Sequence, residues 1–99
     1  MIESKIERRF VQGVKALGCL AYKFVSPGNA GVPDRIVILP GGRVLFVELK
    51  TDDGKLSLIQ ARTHNAISRM GAEVYTVYGA FGVARFLDMC KEKIEESNT

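Results

Sequence analysis

The stretch from Asp34 to Lys50 constrains this chain more than any other. Ile36-Val37-Ile38-Leu39 and Arg43–Lys50 are two runs of strand-forming residues, separated by Pro40-Gly41-Gly42. A linker that short, rich in Pro and Gly, predicts a β-hairpin. In the second run both alternating sets, Val44/Phe46 and Leu45/Val47/Leu49, are apolar. That is the pattern of a strand covered on both faces, so helices must flank the sheet it belongs to.

The remaining elements follow from periodicity. Ile2, Ile6, Phe10, Val14 and Leu17 form one stripe, predicting a helix over 2–17 that stops at Gly18. Leu20–Val25 reads as a strand and runs into the turn-rich Ser26-Pro27-Gly28-Asn29-Ala30-Gly31. Leu56, Ile59, Thr63, Ala66, Ile67 and Met70 predict a second helix with this stripe inward, closed by Gly71. Glu73–Tyr78 reads as a fourth strand, and 80–95 as a last helix, with a polar end, 95–99, expected to fray. The order α-β-β-β-α-β-α predicts an α/β fold with a central mixed four-stranded sheet flanked by helices.

Composition bounds the rest. At 99 residues, 46% hydrophobic and 25% charged, the chain is expected to be one domain, 1–99, and not disordered. Its apolar runs are too short to span a bilayer, and its start, Met-Ile-Glu-Ser-Lys, leads into a charged amphipathic pattern with no secretory signal. Cys19 and Cys90 are expected to be buried free thiols of a reducing compartment. Residues 1–50 carry 8 basic and 4 acidic side chains, a balance of +4 that hints weakly at a nucleic-acid partner. The four acids are Glu3, Glu7, Asp34 and Glu48.

Those acids carry the chemistry. Glu48 and Lys50 are two apart and share a strand face; alone, such a pair is ordinarily a surface ion pair. The hairpin, however, brings Pro33-Asp34, at the start of its first strand, beside the end of its second. Two carboxylates and a lysine then converge, with the backbone carbonyl of Leu49 as a further oxygen, a set of hard ligands suited to Mg²⁺ or Mn²⁺. Glu3 lies within the arc of Ile6, Phe10 and Val14, and either reaches this site or compensates its helix dipole. Ser57-x-x-Gln60 fits a capping box, and Gln60 is equally placed to orient a water or phosphate. Lys23, Ser26, Arg35 and Arg43 are candidate contacts to a phosphate backbone, which Arg8, Arg9 and Lys15 would extend. His64 is expected on the polar side of its helix, with no Cys or His spaced to join it, and no role is assigned to it.

In this order, Pro33-Asp34 followed by Glu48-Leu49-Lys50, with a helical Glu upstream, resembles the PD-(D/E)xK nuclease superfamily. More closely it resembles the VRR-NUC (virus-type replication-repair nuclease) domain. The resemblance is carried by Ala21–Gly28, by Gly31-Val32-Pro33-Asp34-Arg35, and by Phe46-Val47-Glu48-Leu49-Lys50 followed by Leu56-Ser57 and Gln60. It covers Glu3 to Tyr78. It implies a restriction-endonuclease-like core with Asp34 and Glu48 as metal ligands and Lys50 as the catalytic lysine. Glu3 then matches the acid of the first helix, with Glu7 as its competitor, and Gln60 the glutamine of the second helix. The implied activity is a Mg²⁺- or Mn²⁺-dependent, structure-selective DNA endonuclease that leaves 5′-phosphate and 3′-hydroxyl ends. Branched DNA, a four-way junction or flap, is the implied partner, cut by a homodimer like a Holliday-junction resolvase. No membrane or small-molecule cofactor is expected, and the setting is cytoplasmic: bacterial or phage-encoded, and associated with the nucleoid. Asp52-Asp53 is less expected beside a DNA groove. The competing readings are a flap or nicking nuclease, a non-catalytic nucleic-acid-binding module on the same fold, and a dimeric interaction protein whose acids are structural.

Overall fold

The structure is a computed structural model that describes residues 3–98. Helix α1 (Glu3–Ala16) is followed by strands β1 (Leu20–Lys23), β2 (Arg35–Ile38) and β3 (Val44–Lys50). Helix α2 (Leu58–Arg69), strand β4 (Glu73–Tyr78) and helix α3 (Gly79–Ser97) complete the predicted order. Ile2, placed in the first helix by its periodicity, lies outside the described residues. The last helix is longer than its sequence pattern suggested: it continues to Ser97, where a frayed tail was expected from position 95. The strand predicted over Leu20–Val25 stops at Lys23.

The sheet order is β1-β2-β3-β4. β1 and β2 pair antiparallel, as do β2 and β3, whereas β3 and β4 run parallel. Such a parallel pair needs a crossover, and α2 supplies it. The hairpin turn closes where the Gly42 N–H donates to the Leu39 carbonyl at 2.9 Å. Its register sets Arg35 opposite Val47, so β2 ends while β3 runs on through Glu48, Leu49 and Lys50.

One face of the sheet carries the core. Val37, Leu45, Val47, Leu49 and Val77 are buried there with Ile6, Phe10 and Val14 of α1 and Val83, Phe86 and Cys90 of α3. Phe10 and Phe86 meet with ring centroids 5.5 Å apart, and Tyr75 stands edge-on to Phe86 at 5.7 Å. Burying one such phenyl ring contributes about 2–3 kcal/mol. Both cysteines are buried and free.

The other face is only partly covered. α2 packs along β4, and no comparable packing joins it to β1 or β2. The β1 and β2 end of this face is left open, with Leu20 beside Ile38 and Val44, and Tyr22 beside Ile36, Phe46 and Val74. Leu20, Tyr22 and Val44 are exposed. The pattern of β3 predicted cover on both faces; Val44 at its start lacks it. The predicted orientation of α2 is also corrected in part: Thr63 and Ile67 of its stripe are half-buried as expected, and the rest of the stripe within the helix is not. Ile59 and Met70, expected inward, are 54% and 85% exposed, and the one buried residue of the helix is His64. α2 lies over the strand ends where polar side chains emerge, so its inward face is shifted from the stripe toward Gln60 and His64. Among the described residues, no helix is long and apolar enough to cross a membrane.

Candidate active site

Beyond the end of β2 the backbone of β3 has no antiparallel partner, and Asp34 occupies that gap. Its Oδ2 accepts from the Leu49 N–H at 3.4 Å. Asp34 reaches this position from a loop anchored on both sides. Its own carbonyl accepts from the Phe24 N–H at 2.9 Å, and the loop's Ala30 carbonyl accepts from Thr63 Oγ1 of α2 at 2.8 Å. Gly31, between them, presses against α2 with φ +84°, where a β-carbon would lie 2.7 Å from the Ile59 carbonyl oxygen.

Glu48 is 5% exposed and is held from α2. Gln60 Nε2 donates to Glu48 Oε2 at 3.3 Å, and Lys50 Nζ pairs with the same oxygen at 3.6 Å. Lys50 Nζ also donates to Gln60 Oε1 at 3.0 Å. Gln60 serves the helix too. Its backbone N–H donates to Ser57 Oγ at 3.1 Å, and its Oε1 accepts from the Ser57 N–H at 2.9 Å, completing a capping box. The capping box is therefore present, and the residue that starts α2 also bridges Glu48 and Lys50.

The electrostatics are those of a carboxylate pair short of positive charge. Burial and the neighbouring Glu48 push Asp34 up to about 7, against the opposing pull of the Leu49 N–H and Arg35. Asp34 Oδ1 and Glu48 Oε1 are both buried and accept no hydrogen bond. A cavity of about 370 Å³ opens beside Glu48, lined also by Glu3, Leu49, Lys50, Thr51, Gly54, Lys55 and Gln60.

The two acids of α1 separate here. Glu3 is exposed and lines this cavity, whereas Glu7 pairs with Arg35 at 3.2 Å. Among the described residues no three His, Cys, Asp or Glu side chains converge closely enough to hold a metal, and Glu3 is seen only as part of the cavity lining.

Two of the proposed phosphate contacts are corrected. Arg35 is 7% exposed, on the core side of β2 and spent on Glu7. Arg43 grips Glu73 in a bidentate pair, Nε to Oε2 at 2.6 Å and Nη2 to Oε1 at 3.0 Å, at the opposite end of β3 from the site. Ser26 is tied into its turn by Asn29, whose Nδ2 donates to Ser26 Oγ at 3.0 Å. Lys23 remains exposed, as do Lys5, Arg8 and Arg9 along α1. Asp52 is also explained: its carboxylate packs against Gly79, at the positive end of the α3 dipole.

His64, to which the sequence assigned no role, is the residue that reading missed. It is buried with Nε2 3.8 Å from Glu48 Oε1, and neither ring nitrogen has a well-formed hydrogen bond. Burial holds its pKa below the ordinary 6.5 although Glu48 pulls the other way. The available signal was its spacing: His64 follows Gln60 by four residues and so shares its helix face.

The chain is similar to known proteins. No family model matches the chain. A solved structure titled "VRR_NUC domain" superposes with a TM-score of 0.82 at 32% identity, covering 87% of this chain and 94% of that one. A protein of Acyrthosiphon pisum secondary endosymbiont phage 1, named "Putative nuclease p44", is 46% identical over 72 residues, which is 73% of this chain and 77% of that protein. The chain belongs to the VRR-NUC family. The four-stranded mixed sheet in α-β-β-β-α-β-α order is the VRR-NUC fold.

Proposed function

We propose that this VRR-NUC protein is a nuclease, and more narrowly a divalent-metal-dependent endonuclease that cuts branched DNA. The observation that carries this is the pair of buried, unpartnered oxygens, Asp34 Oδ1 and Glu48 Oε1, beside the tethered ammonium of Lys50. Burying acceptors of two carboxylates without donors costs several kcal/mol, and a cation would remove that cost. Asp34, Glu48 and the carbonyl of Leu49 would hold Mg²⁺ or Mn²⁺. In an extended strand a residue's carbonyl leaves on the same side as its N–H, here the side of Asp34. Two carboxylates and one carbonyl suit Mg²⁺, which keeps its remaining positions for water and substrate phosphate. A bound divalent ion would supply charge neutralisation and a more acidic water at the phosphodiester.

The chain's own groups do the rest. Lys50, fixed by Gln60 and Glu48, presents its ammonium to a phosphate oxygen and stabilises charge that develops on it. Gln60 keeps Lys50 and Glu48 in register, because one side chain contacts both. Glu3 lines the cavity. Lys55, Lys23 and the α1 row Lys5, Arg8 and Arg9 are placed to hold the phosphate backbone without reading bases.

Work on a four-way junction calls for two such sites, and a homodimer would supply them. Support comes from the open sheet face of Leu20, Tyr22, Ile36, Ile38, Val44 and Phe46, together with exposed Leu58 and Ile59 on α2. Contiguous apolar surface of this kind marks an interaction site. The setting would be the cytoplasm of a bacterial or phage-infected cell. The decisive experiment is a cleavage panel of four-way junction, flap, duplex and single strand with Mg²⁺, Mn²⁺ or EDTA. Metal-dependent cutting of the junction or flap supports the reading. Salt-sensitive binding without cleavage supports a binding module instead.

A further inference from the structure

α2 is rotated from its apolar stripe. It turns Ile59 and Met70 outward and spends its one buried position on a histidine whose ring nitrogens make no well-formed hydrogen bond. An unsatisfied buried polar group costs about 1–3 kcal/mol, so a helix shaped only for stability would carry an aliphatic side chain there. What faces the ring is specific. Nε2 stands 3.8 Å from Glu48 Oε1, the one Glu48 oxygen that neither Gln60 nor Lys50 contacts. The Gly31 backbone, in the loop that carries Asp34, also neighbours the ring. His64 thus sits between the two strand-end carboxylates' supports, one helical turn beyond Gln60.

We propose that His64 is a positioning residue for Glu48: its Nε2–H donates to Glu48 Oε1 and fixes the direction in which that carboxylate points. This rests on the nuclease reading of the site. A carboxylate oxygen has two lone pairs, so Oε1 can accept from His64 and still offer its second lone pair to a cation. The present separation is about 0.6 Å beyond hydrogen-bond range, and such contacts tighten when an active site is engaged. Gln60 and His64, from successive turns of α2, then hold the two Glu48 oxygens from opposite ends, and the carboxylate can no longer rotate. Thr63, between them, ties the Asp34 loop to the same helix.

Two variants and one spectrum test this. His64→Leu fills the space without a donor, and His64→Gln restores an N–H at a similar reach. His64→Leu is expected to melt at or above the wild-type temperature. Its kcat on a DNA junction falls 10- to 100-fold, the usual cost of losing a partner to a ligating side chain, with KM for DNA unchanged. His64→Gln is expected to recover part of the loss. Wild-type rates in His64→Leu, or a loss of rate that only tracks a loss of stability, would overturn the proposal. Independently of activity, imidazole ¹⁵N NMR of the wild-type protein is expected to show the proton on Nε2, with a resonance that moves in Glu48→Gln. A proton on Nδ1, or a resonance indifferent to Glu48, overturns it. Should the wild-type protein cut no DNA, the nuclease reading falls, and the spectrum still decides what His64 does.

Discussion

Gly31 joins the two halves of the site, and replacing it tests how rigidly they are joined. Gly31→Ala adds one methyl group to the loop that delivers Asp34. Two costs arise. At φ +84° a β-carbon strains the backbone by about 1–2 kcal/mol. The same carbon would lie 2.7 Å from the Ile59 carbonyl oxygen and 2.9 Å from its carbonyl carbon, atoms fixed inside α2. Backbone cannot step aside as a side-chain tip can, and overpacking of this kind costs about 1–3 kcal/mol. The sum, about 2–5 kcal/mol, corresponds to a melting temperature lower by roughly 10–30 °C for a domain of this size. Gly28→Ala is the internal control: it shares the strained backbone, φ +81°, but has nothing within 4 Å. Thermal and urea unfolding of both variants should separate the two costs, with Gly28→Ala losing only about 1–2 kcal/mol. Equal losses in the two variants would refute the claim that the Asp34 loop is clamped against α2.

Three further outcomes are expected. Glu73 is held at about 2, below the ordinary 4.5, chiefly by hydrogen bonds from Arg43. A depressed carboxylate stabilises the fold above pH 4.5 and loses that contribution as pH falls toward 2. Glu73→Gln should therefore cost about 1 kcal/mol at pH 7, given the exposure of the pair, and nothing near pH 2, read from unfolding free energies across pH. Phe10→Ala empties the centre of the core, where Phe10 is fully buried against Phe86, and should cost about 3–5 kcal/mol in urea unfolding. Tyr22→Lys puts a charge on the open sheet face and should shift a dimer to monomer in sedimentation while leaving the melting temperature of the monomer within a few degrees.

The fold was legible because its deciding signals are local. The Pro40-Gly41-Gly42 turn sets the hairpin register, and that register alone brings Asp34 to the end of β3 beside Glu48 and Lys50. The orientation of α2 was not legible, because it is set across the chain. Its apolar stripe argued for one face, but Gln60 and His64, beside that stripe, contact or face Glu48 and Lys50 and rotate the helix toward them, while Thr63 of the stripe stays inward on Ala30. Arg35 and Arg43 failed as phosphate contacts for a related reason. Counting charges along a sequence cannot reveal that Glu7 and Glu73 stand opposite them. Gln60 was legible as a capping residue, but its bridge between Glu48 and Lys50 was not, because the fold alone brings β3 to the start of α2.

The central claim is that Asp34, Glu48 and Lys50 form a metal-dependent phosphodiesterase centre, and Lys50→Ala on a labelled four-way junction tests it most directly. Removing the ammonium leaves the fold and the α1 cations in place, so binding and melting temperature should persist. Single-turnover cleavage in Mg²⁺ should fall by about 10²–10³, the usual cost of losing one preorganised charge-stabilising group. Wild-type cleavage should vanish in EDTA. Lys50→Ala cutting at the wild-type rate, or wild-type cutting undiminished by EDTA, would contradict the account.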